Sequence, residues 1–552
     1  MKALVLILIL ACLSFAQQNH TMSSMEQQPA VGPQPPPILD PGVGKVDHPV
    51  ATKNAEAQKY FNQGLAYMYA FNHAEGIKSF KHAAELDPDL AMAYWGIAFA
   101  LGTNYNVPAD EPALTEAYSN LQKAIALEPK ASQADRDYIE ALSKRYAKDP
   151  KTDAKTLANA YTAAMADLVK KYPDDLDAAT LYAESMMNLK PWQLWSLDGK
   201  PAEGTLQIIA VLESVLKRNP NHTGANHYYI HAVEASPNPE RGLAAAYRLG
   251  ALAPDAGHLV HMPSHIYLRT GDWDEAIKSN ELAIEADRNY MQKNGSGGLY
   301  PMLYYNHNIH MLASSSAANG NYAASIKAAR DLALNAGPNV KAAPMLEMFM
   351  PYPYIAMTRF QKWNEVLAEP APPAEMLITT AFWRFARGMA LSETGKPADA
   401  EKEQAALRAT AAKIPADTHL FTTPVSVAMK VADDLLSGEI ALAKGDRKAA
   451  IDSMRVAASD EAKVNYAEPR DWDLPVREWL GRALIKDGQY TEAEKVYREE
   501  LERTPRNGRA LFGLAEALSK QGKTSSADLV RKEFEKAWSN ADTKLDVAAL
   551  YK

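Results

Sequence analysis

A single cysteine, Cys12, serves 552 residues, and it lies in an apolar leader. The opening "MKALVLILILACLSFAQQ" places Lys2 before an apolar run from Ala3 to Leu13 and then Ser14-Phe15-Ala16, a small-x-small cleavage pattern. Residues 1–16 therefore read as a signal peptide, and the mature chain starting at Gln17 has no cysteine. That excludes disulfides, cysteine-ligated metals and thiol nucleophiles. A large cysteine-free exported chain points to a periplasmic or secreted protein. Lipid anchoring through Cys12 is the alternative, and the bulk of Leu10 two positions earlier opposes it.

Other features are missing too. No segment after the leader is long and apolar enough to span a bilayer. The net charge of -8 is mild and not the basic excess of a nucleic-acid binder. There is no phosphate loop, dinucleotide fingerprint or G-x-S-x-G elbow. The H-E-x-x-H helix of zinc proteases is excluded because Tyr228, not Glu, follows His227. No run of alternating apolar and polar residues marks a strand.

Helical periodicity fills most of the chain. After a Pro- and Gln-rich stretch over 17–52, read as a disordered linker, the composition turns to Ala, Leu, Glu, Lys and Tyr. In "AQKYFNQGLAYMYAFNHAEGIKSFKHAAELDP", Tyr60, Gly64 and Tyr67 share a first helix face, and Gly76, Phe80, Ala83 and Pro88 follow in a second. Small residues let the two helices approach, the aromatic fills the gap, and proline ends the pair. Leu480, Gly481, Ala493, Tyr497 and Pro505 repeat the order. Gly271, Gly320, Gly395, Gly445 and Gly488 mark turns between paired helices.

This spacing resembles the 34-residue tetratricopeptide repeat. The resemblance implies an all-α superhelical solenoid of tetratricopeptide-like helix pairs, roughly a dozen over residues 53–540, with a frayed tail at 541–552. It also implies a protein or peptide partner.

Histidine is concentrated where the repeats are. Eight of the 13 histidines lie between His222 and His310. His227 to His261 is 34 residues, and so is His231 to His265, which puts equivalent positions in two stacked helices. Within each helix the pair is four apart and shares a face. Aligning Gly271 with Gly320 brings His307 and His310 under His258 and His261, with Ser314 opposite His265. In the tetratricopeptide family first helices line the concave surface, where ligands bind.

Converging neutral imidazoles suit a transition metal. The candidate ligands are His227, His231, His261, His265 and His310, with His258, His307 and Glu234 as secondary members. Zinc is the first ion expected. Copper is second, because Met262, Met302, Met311, Met345, Met348 and Met350 crowd the same region. Glu234 is the candidate general base should an open metal position activate water, which defines the alternative of a metal-dependent hydrolase. A metal-free peptide-binding scaffold is the other alternative.

The insertion "QKNGSGGLYP" reads as a lid or a tolerated loop. Trp192 and Trp195 read as packing plugs between units before a ligand platform. Residues 101–106 end a helix and could lend polar groups to the site. Glu184 could face the cluster. His20, His48, His73, His82 and His419 are read as incidental.

Overall fold

In a computed structural model the described residues are 36–295, 298 and 300–551. The expected signal peptide, Cys12 and the first part of the linker lie outside them. So do three residues of the insertion. Among the described residues there is no strand, only two isolated bridges, Trp195 with Pro201 and His419 with Pro424. No helix among them is long and apolar enough to cross a membrane. The fold class is the expected one: all-α, built from tetratricopeptide-like helix pairs.

The chain divides into two compact units, one running to Ile266 and including Leu282–Tyr305, the other comprising Tyr267–Glu281 and the chain from Asn306 onward. The helices of the first unit are α1 (Ala55–Tyr69), α2 (His73–Leu86), α3 (Ala91–Ala100), α4 (Glu111–Ala126), α5 (Gln133–Ser143), α6 (Ala154–Lys171), α7 (Leu176–Met187), α8 (Thr205–Arg218), α9 (Thr223–Val233), α10 (Leu243–Leu252) and α11 (Gly257–His261). A further helix, α12 (Pro263–Thr270), begins in this unit. Successive helices pack on one another, and α9 also packs on α1. In the second unit Leu377–Glu393 pairs with Pro397–Ala411, Val425–Ala443 with Arg447–Glu461, and Val476–Lys486 with Tyr490–Arg503.

The glycine-aromatic spacing has a direct steric cause. A Cβ on Gly64 would stand 2.5 Å from Phe80 Cε1, and one on Gly96 would stand 2.5 Å from Phe80 Cδ1. The Phe80 ring therefore wedges between the first helix of its own pair and that of the next. Tyr497 occupies the same place between Gly481 and Gly513. The turn glycines Gly271, Gly320, Gly395, Gly445 and Gly488 all have φ between 75° and 82°, the left-handed region in which a Cβ is penalised.

Residues 36–52 and 538–543 pack more closely than composition suggested. Residues 36–52, read as part of a linker, run along the first unit. Gln63 takes the Asp40 N–H and gives its own amide to the Ile38 carbonyl. The Ala51 N–H reaches Asp135, and Val43 is buried. In the expected tail, Asp542 accepts the backbone N–H groups of Tyr322 and Ala323, and Trp538 Nε1 donates to the Thr543 carbonyl. A Pro-rich stretch can be held this way because its carbonyls and remaining N–H groups meet side chains instead of a ladder.

His48, read as incidental, is the anchor of the first arm. It is 8% exposed, and its Nδ1 lies 3.0 Å from Asp177 Oδ2. The other Asp177 oxygen receives Tyr69 OH at 2.5 Å and faces His222 Nε2 at 3.2 Å. Burial would lower the His48 pKa, but Asp177, with Asp175 and Asp135 behind it, raises it overall. Burial likewise opposes ionisation of Asp177, and its bonds from His222 and His48 outweigh that and depress it. A raised imidazole stabilises fully below its unfolded pKa and loses the contribution as pH rises through the folded value. A depressed carboxylate stabilises above its unfolded pKa and loses it as pH falls. The clasp is thus strongest between about pH 4 and 6.5.

His48→Gln is expected to lower stability by roughly 1–3 kcal/mol near pH 5.5, with the difference shrinking above pH 8. Thermal melts of both proteins from pH 5 to 9 check this. A gap that stays constant across that range removes the ionic part of the contact.

Candidate metal centre

Helix α9 has no solvent face, since every residue from Thr223 to Val233 is buried. Its polar side chains must therefore find partners inside the protein. His222 caps the helix, its Nδ1 accepting the Ala225 N–H at 3.1 Å. His227 Nδ1 is 2.7 Å from the Tyr69 carbonyl. A carbonyl only accepts, so this nitrogen carries the proton and Nε2 keeps its lone pair. Tyr69 ends α1, where the last carbonyls have no helical partner, and the imidazole supplies one.

Glu234 fixes the next ring. Its Oε1 is 2.9 Å from His231 Nδ1 and its Oε2 is 2.5 Å from His265 Nδ1. Burial would raise this carboxyl, yet the two imidazoles hold it down at about 2. It is therefore an acceptor, His231 Nδ1 is a donor, and His231 Nε2 is left as a buried lone pair with no hydrogen-bond partner. Burial also lowers the pKa of His231, His227 and His258, so all three rings are neutral near pH 7.

His258 completes the group. It lies on α11, whose start is fixed by Tyr300: the hydroxyl accepts the His258 N–H and donates to Asp287, both at 3.0 Å. His258 Nε2 stands 3.1 Å from His227 Nε2, and its Nδ1 has no hydrogen-bond partner. One ligand atom from each of His227, His231 and His258 lies within 4.8 Å of the others. A tetrahedral ion with bonds of about 2.0–2.1 Å sets its nitrogens roughly 3.3 Å apart, so the closest pair has that spacing already and the third ring needs a small approach. Oxygen acceptors on the Nδ1 side of His227 and His231 provide the outer support that metal-bound imidazoles use.

Aromatic rings wall the trio. Phe71 packs at 4.5 Å from His227 and stacks on His258 at 5.4 Å. Tyr105 stands 5.2 Å from His231 and stacks on Trp192, and Tyr304 meets His258 at 4.8 Å. Phe71 and Trp192 adopt φ of 55° and 60°, a strained region for a bulky residue. Strain of this kind persists where surrounding contacts fix it, and it concentrates at sites of function.

Expectation and structure differ in places. The 34-residue spacing pairs His227 with His261, whereas His227 meets His258. The reason is local: α11 ends at His261 and Pro263 opens a new helix, so the ring that points to α9 comes from one turn earlier. His261 and His265 form a second, linked pair, with Nε2 atoms 2.8 Å apart. Ser264 Oγ is 3.5 Å from His261 Nδ1. Glu234 thus connects the trio to a further chain of imidazoles.

His307 and His310 belong to the second unit. There His310 packs against Tyr352 at 3.9 Å and Phe349, and burial lowers its pKa to about 3. His307 stacks on Phe421.

Trp195 is the expected plug, donating to the Ala232 carbonyl at 2.8 Å, but Trp192 joins the wall. The described part of the insertion delivers Tyr300 to α11, and Tyr304 follows just after it. Phe71 and the Tyr69 carbonyl escaped the sequence reading, because nothing periodic links residue 71 to residue 227.

The tetratricopeptide repeat models match residues 57–90 and 480–509, and the chain carries tetratricopeptide repeats at both. No curated relative matches the chain. Among solved structures it is similar to the human IFIT1 dimer with m7Gppp-AAAA at 14% identity and a TM-score of 0.34, covering 89% of this chain and 91% of that one. It is similar to the yeast Tom70 at 12% identity and a TM-score of 0.25, covering 88% and 93%. For the APC/C hetero-tetramer Cut9-Hcn1 the values are 13% and 0.29, covering 90% and 75%. Likeness of this degree says nothing about ligand or partner.

Proposed function

We propose that this protein is an exported tetratricopeptide-repeat scaffold whose first unit holds a transition metal on His227, His231 and His258. The observation that carries the reading is tautomeric. Tyr69 and Glu234 accept hydrogen bonds from Nδ1 of His227 and His231, which leaves the Nε2 lone pair of His227 beside His258 and that of His231 buried without a hydrogen-bond partner. The three neutral imidazoles bring one nitrogen each to within 4.8 Å of the others. All-nitrogen, cysteine-free donors suit zinc first and copper second. The helix pairs around the site serve protein or peptide contact, as such repeats generally do. Export rests on the leader and its Ser14-Phe15-Ala16 pattern.

Mature protein made without a histidine tag is expected to take up one zinc per chain, seen by elemental analysis, and to melt at a higher temperature as free zinc rises above its dissociation constant. Replacing His227 and His258 by alanine together should abolish the uptake while circular dichroism stays helical. His82→Ala, a surface control, should change neither. Wild-type protein that takes neither zinc nor copper at micromolar concentration overturns the metal reading, as does a double variant with full stoichiometry.

A further inference from the structure

Buried side-chain atoms without a hydrogen-bond partner are not scattered through the first unit. Among its described residues, two are the imidazole nitrogens of His231 and His258, and the other five sit on Asn106, Arg145, Tyr161, Glu184 and Asn188. Such atoms are costly, and native proteins pair nearly all of them with protein, water or ligand. Their concentration in one place needs a cause.

Four of these residues form a group of their own. Arg145 Nη2 and Asn188 Nδ2 both donate to the Thr103 carbonyl. Asn188 Nδ2 also donates to Glu184 Oε1, which fixes the amide and turns its oxygen away from these partners. The Arg145 guanidinium lies 5.1 Å over the Tyr161 ring. Two donors are left over, Arg145 Nη1 and the Tyr161 hydroxyl, with two acceptors, Glu184 Oε2 and Asn188 Oδ1. Glu184 and Tyr161 are 4% and 3% exposed, while Arg145 and Asn188 are half-buried, so the group opens toward the surface.

Arg145 and Glu184 are linked through the Thr103 carbonyl and Asn188 and form no ion pair with each other. A lone anion among these side chains would meet Glu184, and a lone cation would meet Arg145. A ligand carrying both charges a few ångströms apart satisfies all four atoms. We propose that Arg145, Tyr161, Glu184 and Asn188 form a binding site for a free α-amino acid, its carboxylate on Arg145 and Tyr161 and its ammonium on Glu184 and Asn188. None of these residues belongs to the histidine trio, so the proposal stands apart from the metal reading.

Calorimetric titration of the mature full-length protein tests it, with glycine as the probe of least bulk. Glycine is expected to bind with a dissociation constant on the order of 1 mM or below. N-acetylglycine, which lacks the ammonium, and glycinamide, which lacks the carboxylate, should each bind at least tenfold more weakly. Glu184→Gln should weaken glycine at least tenfold. Tyr161→Phe, which removes one hydroxyl and keeps the ring, should weaken it several-fold without changing the circular dichroism. No heat with glycine at about 10 mM would mean that water alone fills the group, and the proposal fails. It fails equally if the blocked forms match glycine, or if Glu184→Gln binds as wild type does.

Discussion

Phe80→Ala is expected to cost roughly 3–5 kcal/mol of unfolding free energy, as much as any single truncation in the first unit. The ring is fully buried and packs on Phe61 at 5.4 Å. Its two other walls are Gly64 and Gly96, neither of which has a side chain to swing into a void. The cavity therefore stays open, and the cost includes the lost contacts as well as the lost transfer energy. The same geometry makes a second expectation specific. Gly96→Val alone should also destabilise, because its Cβ would fall 2.5 Å from the ring, yet in Phe80→Ala it should recover part of the loss. Urea unfolding of the two single variants and the double variant measures this coupling. A single-variant cost below about 1 kcal/mol would show that the pair closes without its wedge.

Glu234→Gln should have the largest effect at the histidine site. The substitution conserves shape and removes charge, and it replaces one acceptor oxygen with an NH₂ donor. Glu234 now accepts from both His231 and His265, and glutamine can accept from only one of them. If His231 loses its acceptor, its proton shifts to Nε2 and the lone pair offered to a metal is lost. Zinc affinity should fall about 10–100-fold, the range for loss of an outer-shell partner. Competition titration against a zinc chelator gives the affinity, and nitrogen-15 NMR of the imidazoles reports which nitrogen of His231 carries hydrogen. Unchanged affinity with an unchanged tautomer would show that Glu234 does not orient that ring.

Local patterns carried most of the fold. Gly64 with Phe80, and Gly481 with Tyr497, are readable because the contact repeats within one helix pair. Gly271, Gly320, Gly395, Gly445 and Gly488 are readable because a positive φ singles out glycine. The histidine columns were legible as a group but not in their pairing. A fixed spacing assumes an unbroken helix, and the break between His261 and Pro263 shifts the contact to His258. Phe71 carries no signal because its value lies in a left-handed backbone and in neighbours 156 residues away, and composition favours neither. The arm over 36–52 misled for a similar reason: prolines and glutamines describe a chain that makes no core, yet Asp135, Asp177 and Gln63 reach out and hold it.

The contact between α1 and α9 bears on how a chain built this way can change length. In a simple stack each pair touches only its neighbours, and pairs can be duplicated or lost singly without disturbing the rest. Here Tyr69 meets Asp177 through its hydroxyl and His227 through its carbonyl, so the first helix is tied to two others far along the chain. Adding or deleting one pair between residues 90 and 220 would carry α9 out of reach of α1. The stretch between residues 90 and 220 is therefore the one whose number of pairs is least free to vary.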